Sequence, residues 1–251
     1  MRPLAILLLL AAIQQVIAPP LLFTGSFDGQ FAGPQVETPS EPAGYAFGIW
    51  AVIYAGCLAF AVLQLLPRWR DHPALARIRW PAILLFLGST VWLVFARHGP
   101  SWATVPVIWA MLGLALACVL PLARAPALPA ALKRWAGWPL ALYAGWLTAA
   151  AFVNIATILP AHWPALAAID PQRLALAMVA GAALVALAVV RATRGALPYA
   201  LAVVWALVAI VVANRAPGGA SPVLWAATGA AALLVAALLA ARRARGRVVP
   251  A

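Results

Sequence analysis

Residues 138–161 read WPLALYAGWLTAAAFVNIATILPA, which is 24 consecutive residues without a charged side chain. A helix needs about 20 apolar residues to cross the hydrocarbon core of a bilayer. The stretch also begins with Trp138, a residue type that is enriched at the membrane–water interface. It therefore predicts a membrane-spanning helix over residues 138–159.

The composition of the whole chain extends this interpretation beyond one helix. Of 251 residues, 66% are hydrophobic, 9% are charged and 12 are Trp, and the mean hydropathy is +0.99. A soluble domain is nearer half apolar and a quarter charged, and disordered chains are poor in apolar residues. Both classes are therefore excluded, and we expect an integral membrane protein surrounded by the lipid bilayer.

Apolar stretches of about 20 residues follow one another along the chain. Eight can be counted, at residues 3–23, 44–66, 81–97, 102–123, 138–159, 172–190, 198–214 and 221–241. A proline is tolerated in a first helical turn because its missing N–H would have no partner there, and four stretches have a proline at their first or second residue, namely Pro81, Pro139, Pro198 and Pro222. Pro106 lies inside the fourth stretch and predicts a kink. The fold class is an all-α polytopic bundle of about eight transmembrane helices.

The basic residues are divided unequally between the two ends of these stretches. The chain has 17 Lys and Arg against 5 Asp and Glu, a net charge of +12. Fourteen of the 17 lie on one side, and the other side has Arg97, Arg173 and Arg215. Because cytoplasmic loops retain Lys and Arg, both termini are expected in the cytoplasm, in a bacterial-type inner or plasma membrane. This asymmetry accounts for the charge without nucleic acid as a partner.

The first stretch has an alternative interpretation as a signal peptide, because Arg2 precedes an apolar run. The candidate cleavage site at Ala18 is followed by Pro19 and Pro20, a poor context for cleavage, so we expect a retained helix. Cleavage would leave seven helices with the same orientation. Segment 24–43, which follows, carries three acidic residues and no basic residue, so it is expected outside the cytoplasm.

Motifs for catalysis or ion transport are absent from the sequence. No Asp, Glu or Lys lies in the middle of an apolar stretch, although ion-coupled transporters and proton pumps need such groups. There is no nucleotide-binding loop, no hydrolase motif and no metal-binding spacing. Cys57 and Cys118 lie within apolar stretches, where we expect buried thiols. We expect no metal and no required cofactor, and the lack of an acid–base pair disfavours an enzyme.

Aromatic and amide side chains inside the stretches are the remaining candidates for function. Tyr143, Trp146 and Asn154 recur at helical spacing and share one face of the fifth stretch. An amide near mid-membrane is costly if it faces lipid, so Asn154 is expected to face protein or a cavity. Such rings suit a flat apolar ligand with one or two polar groups, although aromatic packing between helices is the alternative. The candidate ligand-binding residues are Trp50, Tyr54, Trp92, Tyr143, Trp146 and Asn154.

Two of these segments resemble motifs of a known family. Residues 47–54, FGIWAVIY, resemble the FGxxW…Y signature of the second helix of the tryptophan-rich sensory protein family (TspO/MBR), with one residue fewer between Gly and Trp. Residues 143–154, YAGWLTAAAFVN, match its fifth-helix pattern YxxWxxxAxxxN. Trp92 corresponds to the Trp of the third helix, with Ser89 where the family often has Asn. The similarity covers residues 1–160.

The resemblance implies a five-helix bundle over residues 1–160 that binds tetrapyrroles or sterol-like ligands in an aromatic cavity. Residues 161–251 would add three transmembrane helices and a basic tail, in a longer branch of the family. Segment 24–43 departs from the family because it lacks the Trp and Lys of a KPxWxPP-like segment that helps to close the site. The expected function is a sensory or receptor-like protein for a hydrophobic small molecule, with a tetrapyrrole as candidate ligand. A transporter and a non-catalytic scaffold are the alternatives, and a homo-oligomer stays open.

Overall fold

The computed structural model describes residues 2–22, 32–125, 127–216 and 219–247, in which eight long apolar helices are found. They are α1 (Arg2–Leu22), α2 (Ile49–Leu63), α3 (Pro73–His98), α4 (Thr104–Arg124), α5 (Trp138–His162), α6 (Pro171–Ala192), α7 (Leu197–Ala213) and α8 (Pro222–Arg247). By length and composition, seven of these helical segments can span a membrane, whereas α7 has only 17 residues. The predicted all-α polytopic fold is confirmed. Phe23 and residues 24–31 of the predicted outer segment lie outside the described residues.

Short elements connect the long helices. They are the 3-10 turns Gly44–Gly48 and Ser101–Ala103, the helical turns Pro67–Arg70, Ala130–Leu132 and Pro164–Ala167, the π-helical turn Lys133–Gly137, and the antiparallel strands β1 (Arg215–Ala216) and β2 (Gly219–Ala220). Because the π-helical turn runs directly into α5, Lys133 and Arg134 lie on a helical segment rather than in the loop that the sequence suggested.

The chain forms two compact units, which are described separately. Unit 1 comprises residues 1–34 and 49–144, and unit 2 comprises residues 35–48 and 145–251. Helix α5 begins in unit 1 and continues in unit 2. The prediction that residues 1–160 form the functional bundle concerns ligand binding, and it stays a prediction.

Unit 1 is built around α3, which packs against α1 and α4, while α1 also packs against α2. A side-chain hydrogen bond joins Gln14 of α1 to Thr90 of α3. Helix α2 approaches the start of α5 through Gly56, where a Cβ atom would lie only 2.8 Å from the Pro139 Cβ. Any larger residue at this position would therefore push α2 away from Pro139.

Helix α3 begins earlier than predicted, because Pro73 rather than Pro81 occupies its first turn. The His72 side chain caps this end by accepting a hydrogen bond from the Ala74 N–H. Arg79, which the sequence placed in a cytoplasmic loop, lies on α3 and is only 1% exposed. Its Nε donates to Gln64 Oε1 at 2.9 Å, and its guanidinium also donates to the Arg70 carbonyl. The buried charge thus fixes the connection between α2 and α3.

Pro106 does not kink α4, contrary to the prediction. It is the third residue of this helix, which begins at Thr104. The N–H groups of the first turn have no intrahelical partner, so a proline there removes no hydrogen bond. Many transporters use a broken helix for alternating access, and Pro106 does not supply one here.

Unit 2 is built around α8, which packs against α6 and α7. Helix α5 approaches α7 closely at Gly145, where a Cβ atom would lie 2.3 Å from the Tyr199 carbonyl oxygen and 2.9 Å from the Ala202 Cβ. Close to this contact, the hydroxyl groups of Thr148 and Tyr199 are hydrogen-bonded at 2.8 Å. Small residues at helix contacts allow such close approach in membranes, where interhelical hydrogen bonds add to the packing.

Candidate ligand site

Three aromatic residues of the predicted site meet in unit 1. The rings of Trp50 and Tyr54, one turn apart on α2, have centroids 5.2 Å apart and planes tilted by 37°. The Trp50 ring also meets the Tyr143 ring edge to face, with centroids 5.5 Å apart and planes at 86°. Both separations lie in the range of favourable aromatic pairs. The structure therefore brings residues of the second-helix and fifth-helix motifs together.

Polar side chains from four helices of unit 1 accompany these rings. We call Gln15, Tyr54, Cys57, Ser89 and Tyr143 the buried polar cluster. Ser89 lies near both tyrosines, and Cys57 lies near Gln15 and both tyrosines. Gln15, Cys57 and Tyr143 are fully buried, and Ser89 is 3% exposed. A polar patch is thus enclosed within an otherwise apolar unit.

The hydrogen-bonding capacity of the buried polar cluster is incompletely used. The Ser89 hydroxyl donates to the Phe86 carbonyl at 3.1 Å. Among the described residues, neither the Tyr143 hydroxyl nor the Gln15 amide makes a hydrogen bond. A buried polar group without a hydrogen bond costs about 1–3 kcal/mol, so native proteins contain few of them. A polar group of a bound ligand could supply the missing hydrogen bonds.

Trp92 is the fourth predicted site residue in unit 1. It lies on α3 three residues after Ser89, so the two residues share a helix face. Its side chain is half-buried. The position one turn from Ser89 places its ring on the same side of α3 as a member of the buried polar cluster.

Trp146 and Asn154, the other two predicted site residues, belong to unit 2. Trp146 is 2% exposed and Asn154 is 5% exposed. The Trp146 ring meets the Phe47 ring edge to face, with centroids 5.8 Å apart and planes at 79°. Because Asn154 is almost fully buried, its amide avoids lipid, as its polarity requires.

Residues 35–48, which we call the strap, are held by later parts of unit 2. Main-chain atoms of the strap form hydrogen bonds with α5, with α7 and with Asn214, which follows α7. They are Val36 N to the Thr157 carbonyl (2.8 Å), Ala43 N to the Ala209 carbonyl (3.1 Å), Asn214 Nδ2 to the Pro39 carbonyl (2.7 Å) and Trp205 Nε1 to the Ala46 carbonyl (3.0 Å). The Tyr45 and Trp205 rings also meet edge to face, 5.3 Å apart. Without the family's Trp and Lys, this segment is secured by main-chain bonds.

Glu41 of the strap is the acidic side chain that this docking buries in part. Thr157 Oγ1 donates a hydrogen bond to its carboxylate at 3.3 Å. Burial raises the pKa of the Glu41 carboxyl, and the negative charge of Glu37 adds to this effect, while the bond from Thr157 opposes it. Docking of the strap therefore favours the protonated form of Glu41.

The cavities of unit 2 are small. One, lined by Phe152, Met178 and Leu207 among others, measures about 10 Å³, and another, beside Thr38 and Pro160, measures about 110 Å³. Pockets for drug-sized molecules measure about 300–1,000 Å³, so neither cavity accommodates a tetrapyrrole as it stands. Among the described residues, no group of three or more His, Cys, Asp or Glu could hold a metal ion.

Several residues that shape these surroundings were not singled out from the sequence. The sequence does point to Gln15, because an amide in the middle of an apolar helix must be buried or solvated. Nothing in the sequence points to Tyr199 and Thr148, because each is a common residue and their pairing depends on the contact at Gly145. The strap likewise had no signal, since its partners lie more than 100 residues away in sequence.

Comparison with known proteins gives one result. The family model described as TSPO-like protein matches residues 4–240, which includes the three helices after residue 160. No curated protein and no solved structure matches the chain significantly.

Proposed function

The chain belongs to the TSPO-like protein family, and on that premise we propose that it is a receptor-like membrane protein that binds a hydrophobic small molecule in unit 1. The observation that carries the proposal is the buried polar cluster, in which the Tyr143 hydroxyl makes no hydrogen bond to the described residues. A ligand with a polar edge would satisfy this hydroxyl and recover the cost of its burial.

The aromatic residues around the cluster define the class of ligand. The Trp50 ring contacts the rings of Tyr54 and Tyr143, and a flat ring system could replace these ring–ring contacts with equivalent ones. Trp92 would add a further ring from α3. A tetrapyrrole or a sterol-like molecule combines a rigid apolar body with a polar edge, so these are the ligand classes that we propose.

Tyr143→Phe and Tyr199→Phe form a matched pair that tests this proposal. Both variants remove one buried hydroxyl, but only the Tyr199 hydroxyl is hydrogen-bonded within the protein, to Thr148. Tyr143→Phe should weaken ligand binding about fivefold to tenfold, the equivalent of one intramembrane hydrogen bond. Tyr199→Phe should leave binding unchanged and lower stability by about 1 kcal/mol. Binding is measured by Trp fluorescence quenching of purified full-length protein titrated with a porphyrin and with a sterol.

The outcomes separate the alternatives. Equal binding by both variants, at wild-type affinity, would exclude Tyr143 as a ligand contact. Absence of saturable quenching by either compound would favour the scaffold, in which the aromatic residues only pack. Net flux of the ligand across proteoliposomes would favour the transporter.

We extend the proposal separately to Trp146 and Asn154 of unit 2. Their burial would equally suit a packing role, so variants that preserve side-chain volume are needed. Trp146→Phe and Asn154→Leu should weaken ligand binding about tenfold while shifting the melting temperature little. If both variants melt far below the wild type and bind the ligand unchanged, these residues serve packing alone.

We also propose that both termini lie in the cytoplasm. Exposed tryptophans near helix ends support two interfaces: Trp135 and Trp138 lie beside the basic residues Lys133 and Arg134, and Trp102, Trp163 and Trp225 lie at opposite helix ends. Tryptophan is enriched at both membrane interfaces. Reporter fusions at Ala251 and near Gln35 test the orientation, because a periplasmic signal at Ala251 or a cytoplasmic one at Gln35 would reverse it.

A further inference from the structure

Four exposed arginines of unit 2 lie at the ends of its helices. Arg191 is in the last turn of α6, and Arg194 follows in the connection to α7. Arg242 and Arg243 lie on α8, just before its apolar span ends at Ala244. We call these four residues the arginine surface.

The fold of the connection between α6 and α7 holds two parts of this surface together. A Cβ atom on Gly195 would lie 2.9 Å from the Arg242 Cγ, so the connection packs directly against the stem of an α8 arginine. Thr193, which is 1% exposed, fixes the connection by donating to the Val189 carbonyl and accepting from the Ala196 N–H. The connection that carries Arg194 therefore has a defined position against Arg242 of α8.

The backbone of Arg194 supports a role for its side chain. Arg194 has a φ of 53° and is followed by Gly195 with a φ of 85°. A non-glycine residue in the left-handed region costs free energy, and such residues are concentrated at functional sites. Glycine or asparagine would satisfy this conformation at lower cost, so the arginine is not explained by the turn.

Among the described residues of unit 2, the arginine surface has no acidic partner. Asp170 caps the opposite end of α6, about 30 Å from Arg191 along a helix that rises 1.5 Å per residue. Glu37 and Glu41 belong to the strap, which binds the far end of α7. No acidic residue follows Asp170 in the sequence. A specific ion pair for these arginines would therefore need a partner from outside the described part of unit 2.

From this arrangement we propose that the arginine surface binds the headgroups of anionic phospholipids. By length and composition the spans of α6 and α8 end at Ala192 and Ala244, so we expect the four guanidinium groups near the depth of the lipid phosphates. Arginine binds phosphate through two parallel N–H donors, and basic clusters at the ends of transmembrane helices attract anionic lipids. The apolar helices below the surface would contact the acyl chains, which a free phosphate ion lacks.

Native mass spectrometry of the full-length protein in mixed micelles of phosphatidylglycerol and phosphatidylcholine tests this assignment. The double variant R194Q/R242Q should bind phosphatidylglycerol about thirtyfold more weakly, from the effect of two charges near an anionic surface. The matched control R173Q/R215Q removes two exposed arginines from the opposite helix ends of the same unit, and its affinity should change less than threefold. R194K/R242K, which keeps the charge but loses the paired N–H donors, should bind with an affinity between those of the wild type and R194Q/R242Q.

The folding of each variant is checked by its melting temperature in lipid-free detergent, and R191Q/R243Q serves as a second variant if R194Q/R242Q is unstable. Equal loss of binding in R194Q/R242Q and R173Q/R215Q would overturn the proposal, because charge alone would then explain it. If the wild-type protein bound phosphatidylcholine as tightly as phosphatidylglycerol, the proposal would also be overturned. Displacement of the lipid by inorganic phosphate at the same phosphate concentration would assign the surface to free anions instead.

Discussion

Gly145→Ala offers the most direct test of the packing in unit 2. The substitution adds one methyl group to α5 at the position where this helix approaches α7. The new Cβ would lie 2.3 Å from the Tyr199 carbonyl oxygen and 2.9 Å from the Ala202 Cβ, whereas ordinary contact begins near 3.4 Å. The obstructing atom belongs to a helix backbone, so it cannot turn aside as a side chain would. The two helices must separate locally by about 1 Å.

The expected cost follows from two opposing effects. Overpacking of a well-packed contact costs about 1–3 kcal/mol, and the rigid obstruction at Tyr199 places this case near 3 kcal/mol. Alanine recovers about 1 kcal/mol because it is a better helix former than glycine. The net loss is about 2 kcal/mol, which corresponds to a fall in melting temperature of about 4–8 °C for a chain of this size.

Gly113→Ala is the matched control, because Gly113 lies inside α4 and nothing lies within 4 Å of the added Cβ. This variant should gain helix propensity alone and melt about 2–4 °C higher. Thermal denaturation of both purified variants in the same detergent measures the difference. If Gly145→Ala melts as high as Gly113→Ala, the close approach of α5 and α7 is refuted.

Three further predictions concern charge and backbone. Glu41→Gln should raise the melting temperature at pH 7 but not near pH 4.5. Burial raises the pKa of Glu41, so the stability that protonation of Glu41 provides is lost as pH rises through the folded-state pKa. Equal shifts in melting temperature at both pH values would contradict this. Gln64→Leu should cost about 2 kcal/mol by removing an acceptor of the buried Arg79 guanidinium, and Gln64→Glu, which keeps the acceptor, should not. Gly195→Ala should lower the melting temperature through its φ of 85°, whereas Gly229→Ala, with nothing within 4 Å, should not.

The helices could be predicted from the sequence because length and hydropathy alone decide whether a segment can span a bilayer. The apolar stretch at residues 172–190, for example, predicts α6, which extends from Pro171 to Ala192. The aromatic motifs could also be located, because residues three or four apart share a helix face whatever surrounds it. Contacts such as that between the Trp50 and Tyr143 rings join residues far apart in sequence, and spacing within one helix does not contain this information.

The two wrong predictions about α3 arise because charged residues and prolines are ambiguous markers of helix ends. The sequence predicts a loop at Arg79 because this residue precedes the apolar stretch at residues 81–97, whereas on α3 Gln64 and the Arg70 carbonyl supply its hydrogen bonds. Pro81 predicts a helix start, whereas His72 and Pro73 provide that start eight residues earlier. Compensation by distant partners is a property of the tertiary structure, so a residue type alone does not reveal it.

The attachment of the strap has a consequence for biosynthesis. Its hydrogen-bond partners Trp205 and Asn214 follow Ala46 and Pro39 by 159 and 175 residues. At translation rates of about 5–20 residues per second, the strap emerges on the order of ten seconds before the ribosome has made these partners. During that interval the segment would depend on the membrane insertion machinery rather than on native contacts. A chain terminated near residue 165 would never acquire them, so the late helices complete a loop that was made among the first.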